Sequence, residues 1–368
     1  MMKSKHALKK LTPYQQGKQT EEVKREYGLD RIIKLASNEN PFGYSDQVKN
    51  SLSLDHGLNT YPDGHTSELR NALAKKLNVE EDQIIFGGGS DELIQIISRA
   101  FLYPGVNTVM AAPTFPQYKH NATIEGATIK EIPTLDGYHD LKGMLQAIDE
   151  NTSVVWLCTP NNPTGSLIPK EELYDFMNKC PKHVLVVLDE AYFEYVETEF
   201  DSKIIEHFSD FPNLISLRTF SKAYGLAGLR IGYGIANKEL IAKLEVARGP
   251  FNTSSLAQKA ALIALSDDEF IEETVQRNKA IRENLQQFLK DLGWHSYDSQ
   301  TNFILITTPI DGEEMFNYLL ERGYIVRPVK VLEDSNKIRV TIGSEEEMDI
   351  FKDLLQHLHS SVSKEIKS

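Results

Sequence analysis

The feature that most constrains the fold is an alternation of short apolar runs with longer helical patterns between Asp82 and Ala236. Three of the runs, VVWL, VLVVL and LISL, are almost wholly apolar, which is typical of parallel strands covered by helices on both faces. Segments such as DELIQIISRAF and PKEELYDFMNKC lie between the runs. The alternation predicts a doubly wound α/β domain with a mostly parallel sheet, and its candidate strands are QIIF, TVMAA, SVVWL, VLVVL, LISLR and IGYGIA.

The pattern changes after about Glu239, where mostly helical sequence continues to Gly293. A shorter α+β pattern follows, with NFILI, EEMFNYLLERG, YIVRPV and KIRVTIG. We expect a smaller α+β domain, joined by a long helix between roughly Asp267 and Leu292. The predicted division is an N-terminal arm over residues 1–40 that packs with the small domain, a large domain over 41–285 and a small domain over 286–368.

Composition argues against several classes of function. Asp plus Glu number 53 against 40 for Lys plus Arg, and the net charge of -13 disfavours a broad nucleic-acid or membrane surface. No apolar run reaches the ~18 residues of a membrane span, and the N-terminus lacks an apolar signal segment. Cys158 and Cys180 match no metal-binding spacing or disulfide framework, so we expect free thiols and a cytoplasmic protein without a metal site.

Polar or glycine-rich segments follow four of the candidate strands. GGGSDE follows QIIF, CTPNNPTG follows SVVWL, DEAY follows VLVVL, and TFSKAYGLAGLR follows LISLR. In a parallel α/β sheet the ligand site lies at the carboxyl ends of the strands. The four segments therefore predict one ligand site at that edge.

The segment TFSKAYGLAGLR contains the residues best suited to covalent and phosphate chemistry. Lys222 stands among small residues, and an ammonium desolvated in such a pocket has a lowered pKa and can condense with an aldehyde. Thr219, Ser221 and Arg230 supply hydroxyls and a planar cation that suit one phosphate dianion. A surface lysine and a structural arginine are the alternative for either residue alone, but the spacing and the neighbouring residues favour a ligand site.

The segment GGGSDELIQII predicts an anion-binding turn that opens a helix. Glycines let the backbone approach a ligand closely, and the free N–H groups and the helix dipole attract an anion. Ser90 can act as the N-cap, with Asp91 and Glu92 in the first turn. The P-loop lysine and the G-x-G-x-x-G pattern are missing, so a phosphate ester or mononucleotide fits better than ATP or NAD. A tight turn without a ligand is the alternative.

Asp189 directly follows the buried run VLVVL, where a carboxylate needs a cationic or donor partner. A pyridinium N–H is such a partner, and a protonated ring is an electron sink for a carbanion. A helix N-cap is the alternative reading of Asp189. Tyr192, three residues on, and Asn162, in the Asn-Pro-Thr-Gly turn, are placed to hydrogen-bond the phenolic oxygen of such a ring.

In order and spacing, CTPNNPTG, VVLDEAY and TFSKAYGLAGLRIGY resemble the motifs of the fold-type-I aminotransferases, over about Leu11 to Gly343. The resemblance implies a pyridoxal-5′-phosphate cofactor, with Lys222 as its Schiff-base lysine and as the general acid and base. It implies that Asp189 binds the pyridine nitrogen. The other implied cofactor ligands are Tyr192 and Asn162 at the ring oxygen, Phe115 stacked on the ring, and Ser90, Asp91, Thr219, Ser221 and Arg230 at the phosphate.

Within that superfamily, KLASNENPFG, NTYPDG and IRVTIG are most similar to the histidinol-phosphate aminotransferase family. The similarity implies a homodimer with shared active sites, in which Tyr61 reaches the partner's cofactor phosphate. It also implies that Arg339 binds the α-carboxylate of the substrate and that Arg327 and Tyr14 bind its distal anion. For Arg327, Arg339 and Tyr14, surface salt bridges or packing are the alternative.

The implied reaction is transamination of histidinol phosphate with 2-oxoglutarate to imidazole-acetol phosphate and glutamate, a step of histidine biosynthesis. An aromatic or broad-range aminotransferase, or a threonine-phosphate decarboxylase, would use the same residues and differ in side-chain preference. A non-enzymatic pyridoxal-phosphate sensor module is a more distant alternative. We expect small-molecule substrates and no nucleic-acid or membrane partner.

Overall fold

A computed structural model of the chain describes residues 5–12, 18–52, 59–197, 210–331 and 334–365. Its strands, in chain order, are β1 (Ile33–Lys34), β2 (Ile84–Gly87), β3 (Asn107–Ala112), β4 (Thr128–Pro133), β5 (Thr152–Cys158), β6 (Leu185–Asp189), β7 (Leu214–Thr219), β8 (Gly232–Ala236), β9 (Phe303–Thr307), β10 (Tyr324–Ile325), β11 (Arg327–Val331) and β12 (Asp334–Thr341). Its α-helices are α1 (Thr20–Tyr27), α2 (Asp46–Ser51), α3 (Ser67–Leu77), α4 (Ser90–Phe101), α5 (Pro116–Glu125), α6 (Leu141–Ala147), α7 (Lys170–Lys179), α8 (Lys238–Ala247), α9 (Ser255–Ala264), α10 (Asp268–Asp291), α11 (Gly312–Leu320) and α12 (Glu345–Glu365).

The alternating region forms the predicted, mostly parallel sheet. Its seven strands have the order β2-β8-β7-β6-β5-β3-β4, and β8 runs antiparallel to both of its neighbours. The near-continuous apolar runs VVWL, VLVVL and LISL form β5, β6 and β7, which pair in parallel in the middle of the sheet. The chain passes from β7 to β8 through a loop without a crossover helix, and a short connection of this kind joins antiparallel strands.

Apolar side chains alternate between the two faces of the sheet. On β5, Val155 and Leu157 belong to the cluster that packs with α3, α7 and α9, whereas Val154 and Trp156 belong to the cluster that packs with α4, α5 and α8. Successive side chains of a strand point to opposite faces, so helices cover both faces of the sheet. The doubly wound α/β class predicted from the sequence is confirmed.

The C-terminal part forms a separate, smaller sheet. Its order is β11-β12-β9, with antiparallel pairing throughout, and α10, α11 and α12 pack on it through residues that include Leu285, Leu319 and Phe351. The N-terminal segment contacts this part, because β1 pairs with β10 and Val23 of α1 packs against Leu320. The domain boundaries after residues 40 and 285 stay predictions.

Two further observations concern the helices and the cysteines of the described chain. None of the helices in the described ranges is both long and apolar enough to cross a membrane. Cys158 and Cys180 are buried, free thiols. The sequence-based expectation of two unpaired cysteines is therefore confirmed.

Candidate active site

The strand ends and the smaller sheet enclose a cavity of ≈ 420 Å³. It is bounded by the segments after β2, β3, β5, β6 and β7, by β11 and β12, and by the N-terminal segment Ala36–Asn38. A larger cavity of ≈ 580 Å³, lined by Tyr138 and Arg282 among others, contains none of the predicted site residues. The predicted residues that line the first cavity are Ser90, Asp91, Phe115, Asn162, Asp189, Tyr192, Thr219, Ser221, Lys222, Arg230, Arg327 and Arg339.

Lys222 is presented to this cavity by a tight turn after β7. The turn closes with the N–H of Gly225 donating to the carbonyl of Lys222 at 2.9 Å, and Gly225 has a φ of +71°. A Cβ at Gly225 would overlap the carbonyl oxygen of Gly43, so this position requires glycine. The Lys222 ammonium donates to the carbonyl of Ser37 at 3.1 Å.

Desolvation in the cavity, and then the positive charge of Arg339, lower the pKa of Lys222 to about 8. An ordinary lysine titrates near 10.5. At neutral pH Lys222 therefore has a larger fraction of neutral, nucleophilic amine than an exposed lysine has.

Arg230 and the turn before α4 form a cradle for an anion. Arg230 has a left-handed φ of +53°, and its guanidinium donates to the hydroxyl of Ser221 and to the carbonyl of Gly88, both at 3.2 Å. A Cβ at Gly89 would lie 2.7 Å from Nη2 of Arg230, so glycine lets the cation approach the N-terminus of α4. The helix N-terminus, the hydroxyls of Thr219 and Ser221, and the guanidinium converge on one region.

One detail of this turn differs from the sequence-based expectation. The N-cap of α4 is Gly89, with a φ of +83°, and Ser90 is the first helical residue. The prediction of Ser90 as N-cap was wrong, because only glycine adopts this φ at the close approach to Arg230 without strain.

The carboxylate of Asp189 is almost completely buried at the end of β6, with 3% of the residue exposed. The hydroxyl of Tyr118 donates to Oδ2 of Asp189 at 2.6 Å, and the N–H of Ala191 donates to Oδ1 at 3.2 Å. Burial raises the pKa of Asp189 to about 6, and the hydrogen bond from Tyr118 opposes this rise. The sequence reasoning missed Tyr118, although it lies one helical turn after Phe115 on α5.

The Tyr192 hydroxyl is held by two amides. Asn38 donates to it from Nδ2 at 2.9 Å, and Asn162 donates at 3.4 Å. Burial raises the pKa of Tyr192 well above its ordinary value. Asn38 also belongs to the site but was not singled out from the sequence; its place in the quoted motif KLASNENPFG was the available signal.

Arg339 joins three parts of the chain at the cavity wall. Its Nη1 donates to Oδ1 of Asn162 at 2.7 Å, and its Nη2 donates to the carbonyl of Ala36 at 2.6 Å. Arg327 stands directly opposite Arg339 in the pairing of β11 with β12. Like charges at opposed positions destabilise an antiparallel pair, so this arrangement favours an anionic ligand beside the two arginines.

The cavity has the opposite charge to the protein as a whole. Among the described residues, its lining contains the cations Lys222, Arg230, Arg327, Lys330 and Arg339 and the two acids Asp91 and Asp189. The chain carries a net charge of -13. Clustering cations in a cleft of an acidic protein suits small anionic ligands.

Two predicted site residues remain, and the structure describes one of them. Tyr61 is 81% exposed and stacks on Phe251, with ring centroids 4.8 Å apart, outside the cavity of its own chain. Tyr14 lies outside the described residues.

Comparison with known proteins assigns the chain to a family. The sequence model of aminotransferase class I and II matches residues 30–355. The chain is 55% identical to histidinol-phosphate aminotransferase 2 of Oceanobacillus iheyensis over 357 residues, 96% of this chain and 98% of that protein. It is 54% identical to the histidinol-phosphate aminotransferase of Bacillus subtilis over 348 residues, 94% of this chain and 97% of that protein.

A solved structure with a similar fold carries the same name as these relatives. Histidinol-phosphate aminotransferase from Sinorhizobium meliloti, in complex with pyridoxal-5′-phosphate, superposes with a TM-score of 0.91 at 29% identity, covering 98% of this chain and 99% of that chain. The family match spans most of the chain, and the relatives align over nearly their full length. The chain belongs to the aminotransferase class I and II family.

Proposed function

We propose that this chain is a pyridoxal-5′-phosphate-dependent histidinol-phosphate aminotransferase of histidine biosynthesis. The reaction interconverts histidinol phosphate and 2-oxoglutarate with imidazole-acetol phosphate and glutamate. One observation carries the proposal: a single positive cavity brings together a lysine of lowered pKa, a buried carboxylate, an anion cradle and an opposed pair of arginines. The names of the relatives that align over nearly the whole chain support it.

The residues present fit pyridoxal phosphate. The Lys222 amine suits the aldehyde, and the cradle of Arg230 with Ser221, Thr219 and the first N–H groups of α4 suits the phosphate. The carboxylate of Asp189 is buried and accepts only the hydrogen bonds of Tyr118 and Ala191 among the described residues, so a ring N–H would be a further donor to it. We assign Tyr192 and Asn162 to the ring oxygen, Phe115 to the ring face, and Ser90 and Asp91 to the phosphate end.

The bound cofactor supplies a protonated ring that withdraws electrons from the α-carbon of the substrate. Lys222 Nζ takes the α-proton as a general base and returns a proton as a general acid, for which its lowered pKa suits neutral pH. Asp189 holds the ring nitrogen in its protonated form. Arg339 binds the α-carboxylate of glutamate, and Arg327 binds the distal anion of either substrate, with Tyr14 as a further proposed ligand.

A substrate panel separates this function from its rivals on the same scaffold. The fold is shared with L-threonine-O-3-phosphate decarboxylase from Porphyromonas gingivalis, with a TM-score of 0.77 at 25% identity over 89% of this chain. We expect the holoenzyme to convert histidinol phosphate and 2-oxoglutarate to glutamate, and to use histidinol, which lacks the phosphate, roughly 30- to 1,000-fold less well. That ratio corresponds to about 2–4 kcal/mol for a lost charge-assisted contact. Carbon dioxide release from threonine phosphate, with no reaction of histidinol phosphate, would assign the chain to the decarboxylases.

The two arginines should divide the substrates between them. Glutamate carries a planar carboxylate on its α-carbon, where histidinol phosphate carries a CH2–O–phosphate group whose charge lies farther from that carbon. We therefore expect Arg339→Ala to slow the glutamate half-reaction by about 2–4 kcal/mol more than the histidinol-phosphate half-reaction. Some loss common to both is expected because Arg339 also holds Asn162. Arg327→Ala should slow both half-reactions. Each half-reaction is followed separately by the change in cofactor absorbance, and equal losses for Arg339→Ala would refute the division.

We also propose a homodimer in which Tyr61 completes the partner's phosphate site. Tyr61 is exposed, lies outside its own cavity and precedes a turn fixed by Asp63, whose carboxylate accepts the N–H groups of His65 and Ser67. Phe251, on which Tyr61 stacks, is itself 46% exposed. An exposed aromatic pair supports an interface at this face.

Mixing two inactive or weakened chains tests the shared site. A dimer of one Lys222→Ala chain and one Tyr61→Phe chain contains one site with both Lys222 and a partner's Tyr61 intact. With random two-fold pairing half of the dimers are mixed and half of their sites are intact, so about a quarter of the unmodified activity should appear. If Tyr61 served its own chain, the mixture would show only the average activity of the two separate variants.

We assign the reaction to the cytoplasm. Cys158 and Cys180 are buried as free thiols, which suits a reducing compartment. Burial raises the pKa of Cys158 to about 12 and that of Cys180 to about 11, so both groups stay neutral thiols at neutral pH.

A further inference from the structure

Tyr118 contacts two residues to which the cofactor ring is assigned, without lining the cavity itself. Its hydroxyl donates to Oδ2 of Asp189 at 2.6 Å. Its ring meets that of Phe115 edge-on, with centroids 5.7 Å apart. Asp189 and Phe115 both line the cavity, whereas Tyr118 lies behind them and is completely buried. Tyr118 can therefore act on the ring only through its neighbours.

The position of the Tyr118 hydroxyl is fixed by packing. The Tyr118 ring stacks on Trp156, with centroids 4.7 Å apart and an interplanar angle of 12°. The indole N–H of Trp156 donates to the hydroxyl of Thr108 at 2.9 Å, and Thr108 in turn donates to the carbonyl of Val154 at 2.8 Å. This chain of contacts runs through β3 and β5 and does not involve Asp189. The phenol is thus held in place by the sheet and directed at the carboxylate.

Two other charged groups that act on Asp189 oppose its ionisation. Asp91 from α4 and Glu190 from the end of β6 are both acidic and favour the protonated form of Asp189. Cys158 and Tyr192, the titratable groups nearby on β5 and after β6, are neutral because burial raises the pKa of each. A donated hydrogen bond favours the charged form of a carboxylate. Tyr118 supplies the shorter of the two such bonds that Asp189 accepts in the described chain.

We propose that Tyr118 is a positioning residue that keeps Asp189 ionised and oriented, so that the ring nitrogen of the bound cofactor stays protonated. The proposal rests on the proposed pyridoxal-phosphate function. Tyr118 occupies Oδ2, whereas Oδ1 accepts only the longer contact from the N–H of Ala191 among the described residues and can accept a further donor. Without Tyr118 the carboxylate would bind its proton more tightly, and the proton shared between Asp189 and the ring nitrogen would move to Asp189.

The ring nitrogen itself provides the readout. Holoenzyme is prepared with cofactor labelled with ¹⁵N in the ring, and the nitrogen signal is recorded by NMR against pH. In the unmodified enzyme the nitrogen should be protonated at neutral pH. In Tyr118→Phe, which keeps the stack on Trp156, the midpoint for loss of that proton should fall by about one to two pH units, as expected for a lost hydrogen bond to a charge. The kcat should fall while the KM for 2-oxoglutarate changes little, since Tyr118 touches no substrate.

Tyr318→Phe is the matched control. The hydroxyl of Tyr318 donates to the carbonyl of Leu354 at 3.1 Å in the smaller domain, remote from the cavity. This variant loses one partly buried tyrosine hydrogen bond and should leave the nitrogen signal unchanged. If Tyr118→Phe loses stability as Tyr318→Phe does but keeps the unmodified nitrogen signal, Tyr118 is structural and the proposal is overturned.

Two further measurements keep the test decisive. In an Asp189→Asn background, adding Tyr118→Phe should not move the nitrogen signal further; an additional shift would mean that Tyr118 acts by another route. If Tyr118→Phe does not fold, 3-fluorotyrosine at position 118 is a stronger donor of nearly the same shape. It should raise the midpoint, and no change would overturn the proposal.

The proposed function and the role of Tyr118 fail in different ways. If the unmodified protein binds no pyridoxal phosphate, both are wrong. If it binds the cofactor and transfers the amino group of histidinol phosphate to 2-oxoglutarate, but Tyr118→Phe leaves the ring-nitrogen signal unchanged, only the role of Tyr118 is wrong.

Discussion

A carboxylate buried at the end of a central parallel strand imposes the main constraint on this site. Asp189 sits where β6 leaves the sheet, with almost no exposure to water, and an unpaired carboxylate there would cost several kcal/mol. The hydroxyl of Tyr118 on α5 and the backbone N–H of Ala191 partly offset this cost by donating hydrogen bonds to the carboxylate. Burial still raises the pKa of Asp189 to about 6. A protonated pyridine nitrogen is a ligand group that would hold Asp189 in its ionised form. The stack of Tyr118 on Trp156 fixes the phenol that donates to this carboxylate.

The rest of the site depends on bringing cations from distant parts of the chain to the same cavity. Lys222 and Arg230 come from the loop after β7, whereas Arg327 and Arg339 come from the smaller sheet. Arg339 links the parts directly, since it donates to Asn162 of the large sheet's loop and to Ala36 of the N-terminal segment. Arg339 also lowers the pKa of Lys222.

Local patterns in the sequence were sufficient to predict the residues that follow the strands. Parallel strands deliver their carboxyl ends to one edge, so the strand pattern alone predicts that Asn162, Asp189 and Lys222 meet. Contacts through space could not be predicted in this way. Tyr118 reaches Asp189 only because α5 packs on the face of the sheet, and Asn38 reaches Tyr192 across 154 positions of the chain. The cap at Gly89 was missed because its cause, the approach of Arg230, is a tertiary contact.

The most direct measurement of the central claim is the identity of the lysine that binds the cofactor. Lys222 and Lys330 both line the cavity, so borohydride reduction of the holoenzyme followed by peptide mass spectrometry discriminates between two real candidates. The cofactor should be fixed to Lys222 alone, and no adduct should form in Lys222→Ala. The rate at which the apoprotein takes up the cofactor should rise with pH, because the neutral fraction of the Lys222 amine increases. The midpoint of this rise should lie near pH 8 instead of near pH 10.5, where an ordinary lysine titrates. An adduct on Lys330 or on any other lysine would contradict the assignment of the whole site.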